Sequence, residues 1–380
     1  MLDTYIQQEH NIFRDALRKF LNKEAIPYFE QWEKERLVPR EFWRKMGENG
    51  FLCSWVDEKY GGLNTDFLYS AILAEELERV GTGICGISLH DGIVVPYLSS
   101  YGSEEQKHRW LPGCISGELI TAVAMTEPGA GSDLSAIKTT AVRDGDDFII
   151  NGEKTFISNG ILSDIIIVAC KTDPNAVPAH RGISLIVVER DTPGFKRGNK
   201  LDKMGFHAQD TAELIFEDAR VPASNLLGEE GQGFYYLMKK LQQERLVLTI
   251  QAISAAEEML RSTVEYVKSR KAFGKSISQF QNTEFKIAEM ATEVEIGRNF
   301  VDNLIVRHIQ GTNVVDKVSM AKWWMTEMAQ RVAKQCLQLH GGYGFMEEYP
   351  IARRYRDVTV LSIVAGTNEI MKSIIAKSVL

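Results

Sequence analysis

The chain has 380 residues, of which 44% are hydrophobic and 25% are charged, and it carries a formal net charge of −7. These values indicate a globular protein of two or three domains, and they disfavour nucleic acid as a partner because no dense Lys/Arg stretch offsets the negative charge. Five widely separated cysteines predict a reducing compartment without a zinc site, and no apolar run is long enough for a transmembrane segment. We therefore expect a cytoplasmic protein, or the processed form of an organelle-matrix protein.

Residues 1–118 are predicted to form an N-terminal helical domain. Apolar residues recur at helical spacing, most clearly in Phe67–Val80, and Gly102–Gln106 is typical of a turn and capping box that opens a further helix. Gly81–Gly83 interrupts the helices ahead of the small-residue run Gly86–Gly92. Small residues leave space between helices, so this run indicates either a ligand channel or close helix packing.

Residues 119–225 are predicted to form a middle antiparallel β-domain. Apolar residues alternate or form short bounded runs such as Ile165–Ala169, and glycine-containing turns separate them. Near the start, Thr121–Asp133 has the pattern of a strand followed by the small-residue loop Gly129–Ser132. Such loops are common as tight turns, but the bare amides and the hydroxyl also suit a flat, polar-edged or phosphorylated ligand.

Residues 226–380 return to helical periodicity and predict a C-terminal four-helix bundle. Long segments with few helix breakers cover residues 234–269, 281–310, 313–340 and 368–379. The predicted fold class is therefore α+β, with a β-domain between two helical domains.

Glu244 is the most informative single residue of these helices. Its neighbours on the same helix face are Leu237, Leu241, Val247 and Leu248. A carboxylate in such an apolar stripe is desolvated, which raises its pKa towards that of a working general base. The same pattern also fits a structural ion pair, either with Lys240 one turn earlier or with a cation from another element.

Two histidines, His90 and His340, invite a metal or acid–base role. Neither has a carboxylate or cysteine partner at ligand spacing. We interpret each as a hydrogen-bonded helix histidine and predict no metal site.

Five motifs, in their order along the chain, resemble those of the acyl-CoA dehydrogenase family: Thr121–Asp133, Lys154–Gly160, Arg270–Gly274, Gln338–Gly342 and Gly366–Glu369. The resemblance covers essentially the whole chain. Within the family, Gln242–Arg245 and the ending Ala365–Lys372 are most similar to the long-chain acyl-CoA dehydrogenase branch. The resemblance implies an enzyme that oxidises an acyl-CoA thioester to the trans-2-enoyl-CoA and transfers the β-hydrogen as hydride to N5 of FAD.

The resemblance also implies where the catalytic base lies. Many members carry the base as a glutamate just before the Gly-Thr of the late loop, a position that Ala365 holds here. The long-chain and isovaleryl branches supply it from the helix position of Glu244, which is therefore the implied base. Arg245 is implied to support the site electrostatically, although it also fits a helix-surface cation. The backbone amide of Ala365, beside Gly366, is implied as a donor to the thioester oxygen.

FAD is the cofactor that the resemblance implies. The implied contacts are Met125, Thr126, Ser132, Phe156, Ser158, Arg270, Phe273, Gln281, Gln338, Gly341, Gly342, Thr367, Asn368 and Glu369. The family often carries Trp at the position of Phe156, which also fits an ordinary strand residue, and Arg270 also fits a surface salt bridge. Because Arg270, Phe273 and Gln281 match residues that reach the FAD of a neighbouring subunit, a homotetramer is implied.

Contacts to the acyl-CoA are implied near the thioester or the pantetheine arm. They are Ser132, Tyr235, Gln242 and Gln243, and His180–Arg181 could meet the phosphates of the CoA nucleotide. Pro96 departs from the residue usual in long-chain relatives, so we expect a helix kink that reshapes the acyl pocket.

The implied electron acceptor is an electron-transferring flavoprotein. Two other classes of protein remain open on the same motifs: a flavoprotein oxidase or monooxygenase that passes its electrons to oxygen, and a non-catalytic acyl-CoA-binding protein. The length and branching of the acyl group are not fixed by any sequence feature.

Overall fold

The computed structural model describes residues 2–81 and 85–380. Helices, a β-sheet and further helices follow one another along the chain, which confirms the predicted α+β architecture. The sequence predicts an interruption of the helices at Gly81–Gly83. Gly81 ends its helix in the left-handed conformation, with a φ of 66°, whereas Thr82 and Gly83 lie outside the described residues. Among the described helices, none is both long and apolar enough to cross a lipid bilayer.

The N-terminal part consists of seven helices in the described residues. They are α1 (Gln8–Glu24), α2 (Phe29–Glu35), α3 (Arg40–Glu48), α4 (Phe67–Val80), α5 (Cys85–Leu89), α6 (Val95–Tyr101) and α7 (Glu104–Ser116). Ser103 caps α7 and forms the predicted capping box with Gln106. A π-helical turn, His90–Val94, joins α5 to α6 without a break, and Pro96 is the second residue of α6. The helix kink that would reshape the acyl pocket stays a prediction.

The middle part is a seven-stranded sheet. Its strands are β1 (Thr121–Ala124), β2 (Thr140–Asp144), β3 (Asp147–Ser158), β4 (Ile165–Lys171), β5 (Ile183–Glu189), β6 (Phe195–Lys200) and β7 (Thr211–Pro222). The order is β1-β4-β2-β3-β7-β6, with β5 also paired to β4. Most pairs are antiparallel, as predicted, but β4 runs parallel to β1 and, at one residue pair, to β2.

Strand β4 is buried on both faces, because its side chains alternate between two cores. Ile165 and Ile167 join the core shared with the N-terminal helices, where Trp43 is also buried. Ile166 and Val168 join the core on the opposite face of the sheet. The sheet is thus fixed against the N-terminal helices.

The C-terminal part contains the predicted four-helix bundle. Its helices are α8 (Gly233–Ser269), α9 (Gln281–Ile309), α10 (Val315–His340) and α12 (Asn368–Val379), with the short strands β8 (Lys271–Ala272) and β9 (Lys275–Ser276) after α8 and the short helix α11 (Pro350–Asp357) before α12. The bundle core also includes Leu68 and Ile72 of α4. Helix α8 is 37 residues long and packs against both helical parts, so a residue near its middle lies where the parts meet.

Candidate active site

Glu244 lies in the N-terminal half of α8 and its side chain is buried, with 3% of its surface exposed. The hydroxyl of Tyr97, on α6, donates a hydrogen bond to Oε1 of Glu244 at 2.5 Å. The ammonium of Lys240 instead donates to the hydroxyl of Ser100 at 2.6 Å. No cation of the described residues forms an ion pair with Glu244, so the alternative of a structural ion pair is wrong.

The surroundings of Glu244 make it a base that titrates near neutrality. Burial raises the pKa of its carboxyl to about 7, and the hydrogen bond from Tyr97 and the positive charges of Arg245 and Lys240 oppose that rise. A general base works best when its pKa lies near the operating pH. This position can therefore accept a proton at neutral pH.

Arg245 links the base to the late loop between α11 and α12. The side chain is buried, so the alternative of a surface cation is wrong, and its Nε donates to the backbone carbonyl of Ala365 at 3.3 Å. Ala365 has a φ of 53°, and Gly366 after it has a φ of 88°. The N–H of Ala365 has no protein acceptor within residues 2–81 and 85–380. It is therefore available to a ligand oxygen.

A second buried cation, Lys322 of α10, binds the same loop. Its ammonium donates to the carbonyl of Gly366 at 2.9 Å and to Oδ1 of Asn368 at 3.2 Å. Thr367 caps α12 by accepting the N–H of Ile370. Burial lowers the pKa of Lys322 to about 8. The first residues of α12 are thus held by a cation from α10, and Glu369, one position further along, is exposed.

The side chains of two adjacent glutamines of α8 contact different parts of the structure. Gln243 donates to the carbonyl of Gly92 in the π turn at 2.8 Å. Gln242 accepts the N–H of Val314 at 2.9 Å and donates to the carbonyl of Thr312, so it holds the α9–α10 connection. Gln242 therefore makes contacts within the protein, and its contact with acyl-CoA stays a prediction.

The ends of β1 and β3 meet through a buried lysine. The ammonium of Lys154 donates to the carbonyl of Met125 at 3.1 Å and to Glu127 at 2.8 Å. The N–H of Thr155 donates to the carbonyl of Thr126 at 2.9 Å. Two of the predicted cofactor residues, Met125 and Thr126, are thus fixed beside β3.

Strand β3 carries the next two predicted cofactor residues, Phe156 and Ser158. A register shift against β7 accompanies a φ of 58° at Phe156, whose ring is 68% exposed, and Ser158 is half-buried. Bulges of this kind re-aim a side chain. Ser132 lies in the exposed loop after β1, where a Cβ added to Gly129 or Gly131 would meet no atom within 4 Å. Both strand ends therefore present open surface to a ligand.

A cleft of about 570 Å³ brings together Arg270, Gln338, Gly341 and Gly342, four of the predicted cofactor residues. Arg270 lies over the ring of Tyr343 at 5.2 Å and forms no ion pair with the described residues, so its alternative as a salt-bridge residue is wrong. A Cβ added to Gly341 or Gly342 would meet no atom within 4 Å. An unpaired guanidinium beside accessible glycine backbone fits the pyrophosphate of a dinucleotide such as FAD.

The remaining predicted residues lie on the protein surface. Phe273 is 96% exposed and Gln281 is the first residue of α9, both after Arg270 along the chain. Tyr235, at the start of α8, is partly exposed, and its hydroxyl lies 3.3 Å from Nε2 of His180. His180 and Tyr235 thus form one surface pair.

His90 and His340 are hydrogen-bonded histidines, as predicted. His90 lies in the π turn and contacts Thr121 and the carbonyl of Cys114, and burial lowers its pKa to about 4. Nδ1 of His340 lies 2.8 Å from the carbonyl of Cys336. No cluster of metal-ligating side chains occurs in the part of the chain that the structure describes.

Two residues of the site carry no sequence prediction: Tyr97 and Lys322. Lys322 has the same signal as Glu244, because it lies on a face of α10 with buried Val318 and Met325. Tyr97 has no comparable signal, since a tyrosine within an apolar helix is an ordinary core residue.

Comparison with known proteins identifies the family. Three family models match the chain: the acyl-CoA dehydrogenase N-terminal domain over residues 7–118, the middle domain over residues 122–219 and the C-terminal domain over residues 231–380. Together they account for most of the chain.

Individual relatives agree with the family models. The long-chain specific acyl-CoA dehydrogenase of Rattus norvegicus mitochondria is 50% identical over 98% of this chain and 86% of its own length. The isovaleryl-CoA dehydrogenase of Pongo abelii mitochondria is 37% identical over 98% of this chain and 89% of its own length. The crystal structure of an acyl-CoA dehydrogenase from Geobacillus kaustophilus superimposes with a TM-score of 0.98 and 66% identity, covering 99% of each chain. This chain therefore belongs to the acyl-CoA dehydrogenase family of FAD-dependent oxidoreductases.

Proposed function

We propose that this enzyme oxidises an acyl-CoA thioester to the trans-2-enoyl-CoA, with Glu244 as the base that removes the α-proton. The observation that carries the proposal is the buried carboxyl of Glu244, held by Tyr97 and adjacent to the arginine that binds the late loop. A buried carboxyl with a pKa of about 7 can take a proton at neutral pH and keep it while the product forms.

The chain's own residues divide the chemistry between them. Oε2 of Glu244 accepts no hydrogen bond from the described residues, so it is the oxygen that takes the α-proton. The N–H of Ala365 donates to the thioester oxygen as negative charge develops there. Arg245 fixes that loop through the Ala365 carbonyl. FAD, when bound, supplies the acceptor for the β-hydride.

The proposed FAD site has two parts. Met125, Thr126, Ser132, Phe156 and Ser158 would hold the isoalloxazine ring at the ends of β1 and β3. Arg270, Phe273 and Gln281 would reach the FAD bound to a neighbouring copy. The adenosine and phosphate end would be completed by Gln338, Gly341, Gly342, Thr367, Asn368 and Glu369. The exposed rings of Phe273 and Phe345, at 96% and 82%, support a proposed homotetramer because such rings are usually covered in an assembly.

The proposal extends to partners and organisation. The proposed contacts to acyl-CoA are Ser132, Tyr235, Gln242 and Gln243, with His180 and Arg181 at the nucleotide end of CoA. An electron-transferring flavoprotein is the proposed acceptor. The proposed domains are residues 1–118, 119–225 and 226–380. The described cysteines are buried free thiols, which supports a cytoplasmic or organelle-matrix location.

Glu244→Gln tests the proposed base directly. The variant is expected to retain bound flavin and acyl-CoA binding, and to lose turnover by about four orders of magnitude, because amide nitrogen and oxygen cannot accept the proton. Turnover is measured with ferrocenium as acceptor on straight-chain and branched acyl-CoA substrates. Glu265→Gln, an exposed position on the same helix, is the matched control and should keep full activity.

Two outcomes would change the assignment. Normal turnover in Glu244→Gln would exclude Glu244 as the base. Rapid reoxidation in air of the wild-type flavin, after its reduction by substrate, would instead identify an oxygen-using flavoprotein. A purified protein without flavin would support a non-catalytic acyl-CoA-binding protein.

A further inference from the structure

We propose that Tyr97 is the positioning residue for the base: its hydroxyl holds one oxygen of Glu244 and leaves the other oxygen for the substrate α-proton. The proposal rests on the function proposed above, because it assigns a partner to the same carboxyl. The two residues are 147 positions apart, so only the fold brings them together.

The hydrogen bond is buried at both ends. Tyr97 is 0% exposed and Glu244 is 3% exposed, and the O–O distance is 2.5 Å. Burial and the nearby Glu244 charge raise the pKa of the Tyr97 phenol well above its usual value, so the hydroxyl stays protonated and remains the donor. A hydrogen bond to the ionised form of a carboxyl favours that form and fixes its rotamer. Tyr97 thus keeps the base ionised and oriented.

The π turn before Tyr97 anchors this arrangement. A π turn frees carbonyls from the regular helix pattern, and two of them accept side-chain donors. The indole N–H of Trp55 donates to the carbonyl of Asp91 at 3.2 Å, and Gln243 donates to that of Gly92 at 2.8 Å. Gln243 directly precedes the base, so the π turn and the base are tied to one point of α8.

The other end of α6 is also fixed to α8. The ring of Tyr101 stacks on that of Tyr236 with centroids 4.0 Å apart, and Ser100 accepts the hydrogen bond from Lys240. Tyr97 therefore lies between two anchored points, and its hydroxyl cannot leave Glu244 without a movement of the whole helix.

Besides Tyr97, the charged groups that lower the pKa of Glu244 are Arg245 and Lys240. The charged or titratable groups on the elements around it are Lys240 and Arg245 on α8, Tyr101 on α6, Asp91 in the π turn and Lys322 on α10. Burial lowers the pKa of Lys240 to about 8, so Lys240 titrates on the alkaline side of Glu244. All of these groups are retained when only the Tyr97 hydroxyl is removed, so a shift in the acid limb reports that hydroxyl.

The experiment is the pH profile of kcat/KM for Tyr97→Phe holoenzyme, which reports groups of the free enzyme. The acid limb is expected to move up by about one to two pH units, because a hydrogen bond to a charged group is worth that much. Activity should fall about ten- to a hundredfold near pH 6 and approach wild type near pH 9, with unchanged flavin absorbance and acyl-CoA affinity. Tyr101→Phe, which removes a hydroxyl on the same helix that does not contact Glu244, is the matched control and should leave the profile in place.

A second variant covers the case in which Tyr97→Phe does not fold. Fluorotyrosine at position 97 keeps the size and makes the hydroxyl a stronger donor, so the acid limb should move down. An unmoved acid limb in flavin-containing Tyr97→Phe, or an upward shift with fluorotyrosine, would overturn the role of Tyr97. Active Glu244→Gln would instead overturn the proposed function itself, so the two failures are distinguishable.

Discussion

Replacing Glu244 by glutamine is expected to stabilise the fold increasingly as the pH rises. Folding raises the pKa of this carboxyl from 4.5 to about 7, because burial disfavours the charged form. A group whose pKa is raised by folding contributes stability that is fully present below its unfolded pKa and is lost as the pH rises through its folded pKa. Glutamine has no charge to bury, so the variant escapes this loss.

The magnitude follows from the pKa difference. At 1.36 kcal/mol per pKa unit, the step from 4.5 to about 7 corresponds to about 3 kcal/mol of unfolding free energy at pH 8 and above, and to less than about 1 kcal/mol near pH 5. Glutamine keeps an oxygen for the Tyr97 hydroxyl, but its NH2 group lacks an acceptor, which costs about 1 kcal/mol at every pH. The diagnostic quantity is therefore the pH dependence of the stability difference.

Urea unfolding followed by circular dichroism, at about pH 5 and about pH 8 with saturating FAD, measures that dependence. Glu244→Gln should gain stability over wild type at the higher pH and lose that advantage at the lower one. Glu265→Gln, exposed on the same helix, should follow wild type at both. A stability difference between the variant and the wild type that is equal at both pH values, or larger near pH 5, would refute the conclusion that the buried carboxylate of Glu244 destabilises the fold at high pH.

Three further substitutions test the surroundings of the site. Lys322→Met removes the cation that binds Gly366, so kcat at saturating substrate is expected to fall about tenfold with flavin retained, and an unchanged kcat would contradict the role of that contact. Arg270→Gln removes the unpaired cation of the cleft, so equilibrium dialysis should show about ten- to a hundredfold weaker FAD binding. Arg298→Ala removes ion pairs to half-buried carboxylates on α4, α8 and α9, so denaturant unfolding should show a loss of about 2 kcal/mol.

The long elements of this fold are predictable from the sequence because their signals are local. Residues 234–269 repeat apolar positions with the helical period, and the structure has α8 at Gly233–Ser269. The capping box at Ser103 depends on residues three positions apart. The parallel pairing of β4 with β1 joins strands that are 40 residues or more apart along the chain, and no local pattern encodes which strands become neighbours.

In the site, too, some features are indicated by neighbouring residues in the sequence, whereas others depend on contacts between distant elements. The burial of Glu244 is visible as a carboxylate on an apolar helix face, whereas its partner Tyr97 comes from another helix. Gln242 and Gln243 are both implied contacts of acyl-CoA, because they match family positions near the thioester or the pantetheine arm. Successive residues of a helix point about 100° apart, so one turns to the π turn and the other to the α9–α10 connection.

The late loop shows how the proposed base could lie on α8 without loss of the proposed amide donor. The carbonyl of Ala365 is bound by Arg245, and that of Gly366 by Lys322, so both peptide units are held by side chains from outside the loop. The side chain at position 365 makes none of these contacts, and an alanine there keeps the positive φ of 53°. Since Arg245 is the next residue after Glu244, one helix supplies both the base and the contact that orients the loop. The separation between base and loop is thereby set by two adjacent residues of a rigid element, which preserves the geometry that proton removal and charge stabilisation need together.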